Sequence, residues 1–404
     1  MRRALLLFLS VLLLAGLALP ASAAEKAVTV TIDGTPVTYD DSYGYPFLDG
    51  NGRTQVPFRR TMETFGCTVS WSRWTRTATA KKDGVTVDVP IGQSYILVNG
   101  TKVTIDSAAL IRDGRTYLPI RAVAEAFGAM VTWDRRTATV AITTGADLVR
   151  VHFIDVGQGD ATLIDCGETE VLIDGGDNNA GPVVVDYLRP YVDGKLDYLI
   201  ATHPDADHIG GLDDVLAAYA VGEVIDSGYI SSTRSYRDYI TAAQSEAGCT
   251  FSHDSDRVLS LGPETVLCIL ETGDDWDNAN DSSVVCELVC GNVRVLFTGD
   301  MTRDAEQARL SLFGDVDVLK VGHHGSAYST SREFLDVIRP EYAVISYQVG
   351  NDYHHPAASA LRRLLYCGAT IYGTGKSGTV ILTTDGTSCS FNTSNALTMD
   401  DAGA

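Results

Sequence analysis

Short apolar runs that end in glycine and aspartate recur along the second part of the chain. The run at residues 153–162 reads FIDVGQGDAT, and the run at 171–176 reads VLIDGG. Similar patterns appear at 295–300 (VLFTGD) and at 319–326 (LKVGHHGS). Runs of about four to eight residues bounded by such turns are typical of buried strands. We therefore predict strands whose carboxyl ends carry glycine and polar residues.

Helical patterns separate these strands. Residues 212–219 and 357–365 predict helices, and each helix follows a predicted strand, at 198–201 and 342–346 respectively. A further strand is predicted at 283–290. Strands and helices therefore alternate through this part of the chain.

The first part of the chain is an internal repeat. Residues 53–57 (RTQVP) recur as 115–119 (RTYLP), and a Phe-Gly pair and a Thr-Ala-Thr triplet recur after them. Each unit predicts a strand that ends in proline, then a short helix at 61–65 or 122–127, then a β-hairpin. Such self-similarity predicts two small units that bury their apolar faces together.

The amino terminus has the pattern of a secretory signal. Two arginines precede an apolar run at residues 4–19, and the sequence ASA follows at 21–23. A basic start, a short apolar stretch and a small-residue site predict a signal peptide over residues 1–23. The alternative, an uncleaved membrane anchor, needs a longer apolar run. We therefore expect a bacterial protein that is secreted or held at the cell surface.

Charge is divided unequally along a chain of globular composition. The 404 residues are 45% apolar and 21% charged. Residues 24–146 carry 14 basic and 12 acidic side chains, whereas residues 147–404 carry 15 basic and 40 acidic ones, a net charge of −25. A domain with this net charge repels polyanions at long range, so non-specific binding to duplex DNA is disfavoured. Bound dications would reverse the sign of the charge locally.

Histidine is confined to the second part of the chain, and cysteine nearly so. None of the eight histidines lies between residues 24 and 146, so imidazole chemistry belongs to the second part. The eight cysteines include no Cys-x-x-Cys pair, and Cys286 and Cys290 share one face of their predicted strand. Export would permit disulfides, but a chain of this length does not need them to fold. We interpret Cys286 and Cys290 as buried thiols.

The clearest chemical motif lies between a predicted strand and a predicted helix. His203, Asp205, Asp207 and His208 place four potential metal ligands within six residues. On an extended strand the first three would share a face, so a curled loop is needed to divide the four ligands between two ions. Imidazole and carboxylate together suit zinc, manganese or iron. Helix capping by solvated acids would explain one aspartate but not the whole pattern.

Residues 203–211 (HPDADHIGG) resemble the metal motif of the metallo-β-lactamase fold, whose usual form is His-x-His-x-Asp-His. Asp205 stands at the second histidine position. With residues 155–162 and the His-His-Gly-Ser segment, this departure resembles the branch that contains the hydrolase domain of ComEC competence proteins and the phosphorylcholine esterases. The resemblance implies an α+β domain, namely an αββα sandwich at residues 149–390. We predict a flexible tail at 391–404.

Residues 27–144 resemble the copper amine oxidase N-terminal domain-like, or stalk, modules of exported bacterial proteins. On this resemblance, a small β-rich domain of two repeats precedes the sandwich. The segment has no histidine, so copper binding is not implied. Such a module either contacts the cell wall or a surface partner, or acts as a spacer.

The metallo-β-lactamase resemblance implies two divalent metal ions, zinc or manganese, and a ligand set for each. His203 and Asp205 would hold one ion, Asp207 and His208 would hold the other, and Asp300 would bridge both. Aspartate in place of histidine at position 205 adds a negative charge and a hard oxygen ligand. That change shifts the preference toward manganese.

The same resemblance assigns the remaining histidines. One of His323 and His324 would join the first ion, and the spare one would protonate a leaving group. His355 would complete the second ion, although His354 competes for that place. The separate histidine that the fold usually has between its second and fourth motifs is missing. His253 is the only candidate for it and is expected to be an exposed loop residue.

Supporting roles are predicted for residues around these ligands. Asp174 is expected to support the metal ligands without binding an ion itself. Asp155, Asn280 and Ser282 are candidates for the same role or for contact with the substrate, and a simple turn is the alternative for 280–282. Asp207 and the histidine pair at 323–324 are the expected catalytic residues.

The function that follows is hydrolysis. Two cations that share a water lower its pKa and supply a hydroxide nucleophile near neutral pH. We expect an exported, dinuclear metal-dependent hydrolase of phosphoesters or phosphodiesters, with a cell-envelope component among its substrates. The alternatives are a ComEC-like nuclease acting on single-stranded DNA, a lactonase or β-lactamase, and a wall-binding module with an idle hydrolase fold. The net charge and the lack of a basic, aromatic-rich stretch weigh against the nuclease.

Overall fold

The computed structural model describes residues 28–145, 148–253, 256–271 and 276–403. The predicted signal peptide at 1–23 therefore lies outside the described residues. The described chain consists of a β-rich part followed by a larger part in which strands and helices alternate.

The β-rich part contains thirteen strands and two short helices. The strands are β1 (Thr29–Ile32), β2 (Thr35–Pro36), β3 (Phe47–Leu48), β4 (Thr54–Pro57), β5 (Thr68–Ser72), β6 (Thr77–Lys82), β7 (Val85–Pro90), β8 (Tyr95–Val98), β9 (Thr101–Thr104), β10 (Leu110–Arg112), β11 (Arg115–Pro119), β12 (Met130–Asp134) and β13 (Thr139–Thr143). The helices are α1 (Phe58–Thr64) and α2 (Ile120–Glu125).

The two repeats pack against each other through equivalent elements. Strands β4 and β11 pair antiparallel, with Val56 opposite Leu118, and β1 pairs in parallel with β13. The rings of Phe65 and Phe127, at equivalent positions of the two units, have centroids 5.8 Å apart. One apolar core contains residues of both units. The predicted joint burial of the repeats is therefore present in the structure.

The described residues of the second part form fifteen strands. They are β14 (Val149–Phe153), β15 (Thr162–Asp165), β16 (Glu170–Ile173), β17 (Lys195–Ala201), β18 (Ala220–Asp226), β19 (Thr250–Ser252), β20 (Arg257–Gly262), β21 (Thr265–Glu271), β22 (Val285–Cys290), β23 (Val293–Phe297), β24 (Val318–Lys320), β25 (Tyr342–Ile345), β26 (Thr370–Gly373), β27 (Val380–Thr384) and β28 (Cys389–Phe391). Its helices are α3 (Gly181–Leu188), α4 (Ala206–Ile209), α5 (Leu212–Ala218), α6 (Arg234–Ser245), α7 (Arg303–Arg309), α8 (Arg332–Ile338), α9 (Ala358–Cys367) and α10 (Thr374–Ser377).

These strands form two sheets that pack face to face. One sheet has the order β19-β18-β17-β16-β15-β14-β27-β28, and the other has the order β20-β21-β22-β23-β24-β25-β26. Apolar side chains of both sheets share the central core. Helices α3, α5 and α6 cover the outer face of the first sheet, and α7, α8 and α9 cover that of the second. The predicted αββα sandwich is confirmed.

The ends of the parallel strands bring the predicted site residues to one edge of the sandwich. Strands β16, β17 and β18 run parallel in the first sheet, and β23, β24 and β25 run parallel in the second. The amide of Val284 donates to the carbonyl of Thr202 at 2.8 Å and so joins the two sheets at this edge. Gly299 has a φ of 51°, and a Cβ there would lie 2.7 Å from the side chain of Ser283. The same Cβ would lie 3.1 Å from the side chain of Thr202, which follows β17 of the first sheet, so a larger residue would crowd the residues beside the site.

The carboxyl-terminal segment differs from the flexible tail predicted at 391–404. Leu397 is 2% exposed, and its amide donates to the Ile371 carbonyl at 2.7 Å. Lys376 forms an ion pair with Asp401 at 3.0 Å, and the Thr398 side chain caps the short turn Met399–Asp401. One buried leucine and these polar contacts hold residues 392–403 against the second sheet.

Two further observations concern the whole described chain. Among the described residues, no helix combines the length and the apolar character that crossing a bilayer requires. All eight cysteines lie within the described ranges and form no disulfide. Cys286 and Cys290 are buried in β22, in agreement with the interpretation of those two as buried thiols.

Candidate metal centre

The loop with four potential ligands curls immediately after β17. The amide of His208 donates to the carbonyl of Asp205 at 3.1 Å, and the short helix α4 begins at Ala206. His203 and His208 are almost completely buried, whereas about half of the Asp205 side chain is exposed. The Asp205 carboxylate lies 3.7 Å from Nε2 of His203. The loop therefore has the curl that dividing four ligands between two ions requires.

The buried Asp174 carboxylate contacts this loop on the Nδ1 side of His208. It follows β16 with a φ of 60°, and its carboxylate accepts hydrogen bonds from the amide of Thr202 at 2.8 Å and from the Thr202 hydroxyl at 2.7 Å. Nδ1 of His208 lies 2.7 Å from the same carboxylate. A carboxylate on one ring nitrogen fixes the tautomer and leaves Nε2 as a ligand. Asp174 thus orients His208 in the way a metal site needs.

Asp300 occupies the centre of the cluster. It follows β23, and its amide donates to the hydroxyl of Ser283 at 3.0 Å. One carboxylate oxygen lies 3.3 Å from Nε2 of His208, and the other lies 3.7 Å from Nε2 of His323 and 3.6 Å from Nε2 of His324. Burial opposes ionisation, but His208 and His324 outweigh it and hold the pKa of Asp300 well below its usual range. Three imidazoles therefore face one ionised carboxylate.

The two adjacent histidines after β24 point in different directions. His323 and His324 both have a φ of 52°, the left-handed region that residues other than glycine rarely adopt. His324 is buried, with Nδ1 3.1 Å from the carbonyl of Ser346 and Nε2 3.3 Å from the Asp207 carboxylate. The His323 side chain is 25% exposed. The unusual backbone therefore places one ring inside the cluster and the other at its open side.

The placement of His324 differs from the sequence-based assignment. That assignment put one member of the pair with His203 and Asp205. The structure brings His324 beside Asp207, and its ring centroid lies 5.2 Å from that of His208. His324 thus stands with the second pair of loop ligands.

His355 reaches the cluster from the loop after β25. Its ring centroid lies 5.8 Å from that of His323 and 6.3 Å from that of His324. Asn351 fixes the backbone of His355 from both sides, since its side chain accepts from the amide at 3.0 Å and donates to the carbonyl at 2.6 Å. His354 is exposed, so His355 is the member of this pair that faces the other histidines. Burial and the two neighbouring rings lower the pKa of His355 to about 4.

Several predicted residues have local partners instead. Asp155 is exposed, and its carboxylate accepts from a backbone amide two residues further on at 3.3 Å. Ser282 is buried, but its hydroxyl donates to the carbonyl of Ala279 at 2.6 Å. Asn280 begins the same short helical turn, which agrees with the alternative of a simple turn. The side chain of His253 is 57% exposed.

Three residues without a predicted role take part in the site. Ser283 accepts the Asp300 amide, as described above. Lys320 and Asp160 form a buried ion pair at 2.7 Å, and the other Asp160 oxygen lies 3.3 Å from Nδ1 of His324. A lysine at the end of an apolar strand is the one sequence signal that could have indicated this pair, because lysine is rarely buried without a partner.

The donor atoms fit a metal ion. Nε2 of His203, His208 and His324 and one oxygen of Asp300 are buried and have no hydrogen-bond partner among the described residues. Buried polar atoms are normally satisfied, so each such atom needs a ligand. Among the described residues, three triplets have their donor atoms within 4.8 Å of one another: His203, His208 and Asp300; Asp207, His208 and His324; and Asp160, Asp174 and His208. Imidazole nitrogens and carboxylate oxygens in such sets match zinc or manganese.

Charges within the cluster are strongly coupled. Burial would lower the pKa of His324, but the carboxylates of Asp300 and Asp160 outweigh burial and raise it to about 10. Burial would raise the pKa of Asp207, but its contact with His324 outweighs burial and lowers it to about 2. The cluster thus concentrates anionic carboxylates where a cation would be stabilised.

Comparisons with known families agree with this geometry. Residues 154–349 match the family described as "Metallo-beta-lactamase superfamily". Residues 31–142 match the family described as "Copper amine oxidase N-terminal domain". Both resemblances expected from the sequence are confirmed.

Curated relatives match more than half of the chain. The chain is 31% identical over 251 residues to ComE operon protein 3 of Bacillus subtilis (strain 168), and the match covers 57% of this chain and 32% of that protein. It is 33% identical over 235 residues to Recombination protein 2 of Haemophilus influenzae, which covers 57% of this chain and 28% of that protein. The chain spans about a third of the length of the curated relatives it matches.

The matches to solved structures have low TM-scores and low sequence identity. The metallo-beta-lactamase fold protein YhfI from Bacillus subtilis is 13% identical, with a TM-score of 0.42, and the match covers 58% of this chain and 100% of that one. CmlA, a diiron beta-hydroxylase from Streptomyces venezuelae, is 16% identical, with a TM-score of 0.38, and the match covers 76% of this chain and 74% of that one.

Proposed function

We propose that this chain, which joins a copper amine oxidase N-terminal domain to a metallo-β-lactamase superfamily domain, is a dinuclear metal-dependent hydrolase of phosphoesters or phosphodiesters. One observation carries the proposal. The Nε2 atoms of His203, His208 and His324 are buried without a hydrogen-bond partner among the described residues, and they gather around the carboxylate of Asp300 at the edge where the two sheets meet. In a domain that has this fold but binds no metal, so many buried polar atoms without hydrogen-bond partners would be destabilising and would serve no purpose.

The contacts suggest how the ligands are divided. Asp207, His208 and His324 would hold one ion, because their donor atoms lie together. His203 and Asp205 would hold the other. Asp300 would face both. This division moves His324 to the second ion and leaves His323 and His355 on the open side of the cluster.

The protein residues prepare the site for hydrolysis. Divalent ions in this position would lower the pKa of a bound water and neutralise charge that develops on a phosphoryl oxygen. Asp174 and the Ser346 carbonyl hold the rings of His208 and His324 so that each directs Nε2 inward. His323, partly exposed and with Nδ1 lacking a hydrogen-bond partner among the described residues, is placed to give a proton to the leaving group.

A nuclease is the second candidate. Relatives named "Recombination protein 2" and "Competence protein ComA" match 55% to 57% of this chain at 30% to 33% identity. The net charge of −25 on residues 147–404 opposes binding of a long polyanion. We therefore rank small or zwitterionic phosphoesters of the cell envelope above DNA as substrates. A lactonase or β-lactamase, and a wall-binding module with an idle hydrolase fold, rank below both.

Export and surface attachment complete the proposal. Residues 1–23 would direct secretion, as their basic, apolar and small-residue pattern suggests. The N-terminal repeats would contact the cell wall or a surface partner, or hold the hydrolase away from the cell.

Substrate screening tests the function. The purified protein from residue 24 onward would be assayed with manganese or zinc against bis-p-nitrophenyl phosphate, p-nitrophenylphosphorylcholine, single-stranded DNA and nitrocefin. We expect metal-dependent cleavage of at least one phosphoester that EDTA abolishes. Turnover of nitrocefin alone would identify a β-lactamase instead. No metal-dependent turnover of any substrate would favour the idle fold.

A further inference from the structure

A buried ion pair connects the two sheets directly behind the candidate metal centre. Lys320 is the last residue of β24 and is 3% exposed; its Nζ donates to Asp160 at 2.7 Å and to the Val321 carbonyl at 3.2 Å. Asp160, 5% exposed, belongs to the glycine-rich turn after β14 in the opposite sheet. Both partners are therefore removed from water, on different sheets.

The second oxygen of Asp160 faces a candidate ligand. It lies 3.3 Å from Nδ1 of His324, which is also 3.1 Å from the carbonyl of Ser346. The opposite nitrogen of the same ring, Nε2, faces Asp207 at 3.3 Å and Asp300 at 3.6 Å. Nδ1 is hydrogen-bonded to the Ser346 carbonyl, while the second Asp160 oxygen, which has no hydrogen-bond partner among the described residues, places a negative charge on the same side of the ring. Both favour hydrogen on Nδ1, which leaves Nε2 free to bind a metal.

The backbone of Asp160 is hydrogen-bonded to Asp207, another proposed ligand of the same ion. Its amide donates to the carbonyl of Asp207 at 3.0 Å, and its own carbonyl accepts from Gly176 at 2.8 Å. The neighbouring Gly159 approaches so closely that a Cβ there would lie 2.5 Å from the Asp207 carbonyl. One turn thus contacts two ligands, one through its backbone and one through a side chain.

A stabilising role alone does not account for this arrangement. Removing two charges from water is costly, and apolar residues of similar volume often stabilise a core at least as well as a buried ion pair. Lys320 occupies one oxygen of Asp160 and so fixes the carboxylate with its other oxygen toward His324. The ion pair therefore orients the Asp160 carboxylate toward His324 and also joins the two sheets.

We propose that the Lys320–Asp160 pair is a positioning device that, together with the Ser346 carbonyl, sets the ring orientation of His324, and thereby the affinity for the ion held by Asp207, His208 and His324. The inference rests on the proposed function only for the presence of the metal centre. It does not depend on which bond the protein cleaves.

Metal binding provides the test. The variants are Asp160→Asn, Lys320→Met and the double variant, which leaves no unpaired buried charge. Glu223→Gln, which breaks the partly buried Glu223–Arg257 pair in the same domain, is the matched control. Affinities for manganese and zinc would be measured by competition with a chromophoric chelator. Thermal unfolding without added metal would report on the fold.

The expected result separates positioning from stability. In Asp160→Asn and in the double variant, one of the two ions should bind about 10–100-fold more weakly, the range typical for residues that orient a ligand. The double variant should unfold at a higher temperature than Lys320→Met and yet not regain the affinity. The control should keep both affinities.

Two outcomes would overturn the inference. Unchanged affinity for both ions in the double variant would reduce the pair to a structural contact, and failure of the wild-type protein to bind any divalent ion would remove its premise. Wild-type protein that binds two ions but cleaves no phosphoester would contradict the proposed function alone. The two failures can therefore be distinguished.

Discussion

The Asp300 carboxylate has more imidazole neighbours than hydrogen-bond partners. One of its oxygens is buried without a hydrogen-bond partner among the described residues, while His208, His323 and His324 all approach within 3.7 Å. A protein normally satisfies a buried carboxylate with amide or hydroxyl donors. The position is therefore better suited to bridging cations than to stabilising the apoprotein.

Replacing Asp300 by asparagine should weaken both proposed ions. Asparagine keeps the size and removes the charge, so metal content should fall at both sites and phosphodiesterase activity should fall by at least about 10–100-fold. Elemental analysis beside rate measurements would check this. Asp315→Asn, which alters an exposed ion pair with Arg339, is the control and should change neither quantity. Two ions per chain and near-wild-type turnover in Asp300→Asn would contradict the two-metal proposal.

His354 and His355 provide a matched pair of substitutions. His355 is buried and its ring faces His323 and His324, whereas His354 is exposed with a φ of 56°. Asparagine tolerates that backbone conformation, so His354→Asn should fold normally. His355→Asn should lower the metal content or the rate, and His354→Asn should change neither. Equal effects of the two changes would show that His355 does not belong to the site.

At the scale of secondary structure, the sequence predicts the strands and the ligand loop well. The apolar run predicted as a strand at 342–346 is β25 (Tyr342–Ile345), and the helix predicted at 212–219 is α5 (Leu212–Ala218). Local patterns suffice here because each element buries one face in a continuous core. The helices of the repeats begin earlier than predicted, directly after Pro57 and Pro119, because proline ends each strand and fits the start of a helix.

The partners of the adjacent histidines could not be predicted from the sequence. Their rings separate because both residues adopt a left-handed backbone, which depends on tertiary contacts such as the amide of His323 donating to the Gly299 carbonyl at 3.2 Å. The Lys320–Asp160 pair was missed for a similar reason. Its partners are 160 residues apart, and no local pattern relates them.

Helix α2 contains a carboxyl group that should make stability depend on pH. Burial raises the pKa of Glu125 from 4.5 to about 7, against the opposing effect of Arg121. The folded state therefore binds the proton more tightly than the unfolded state does. Its stabilising effect is complete below about pH 4.5 and is lost as the pH rises through about 7.

The substitution Glu125→Gln should remove this dependence. Above about pH 8 the variant should be more stable than the wild type by about 2 kcal/mol, and below about pH 5 the two should be similar. Thermal or urea unfolding at both pH values would measure the difference. Glu63 occupies the same position in α1 of the first repeat and is more exposed, so Glu63→Gln is the control. A stability gain of equal size at both pH values would show that the charge of Glu125 is not the cause.

On the scale of the whole molecule, the two parts touch through polar groups while their charges differ greatly. The Ser390 hydroxyl donates to the Val131 carbonyl at 3.0 Å, and Arg150 donates to the Gly128 carbonyl at 2.6 Å. Residues 24–146 have nearly balanced charge, and residues 147–404 carry a net charge of −25. Any substrate of the candidate metal centre therefore approaches the acidic part of the molecule.

Ionic strength should consequently affect polyanionic and zwitterionic substrates differently. Salt screens repulsion between exposed charges beyond about 10 Å at 0.1 M, so raising salt from about 20 to 150 mM should lower KM for a single-stranded oligonucleotide. KM for p-nitrophenylphosphorylcholine should barely change, because that substrate has little net charge. The comparison uses the metal-loaded wild-type protein in both assays. If KM for the oligonucleotide instead rises steeply with salt, the DNA binds through released counterions at a local basic surface. That result would reverse our ranking and favour the nuclease over the envelope phosphoesterase.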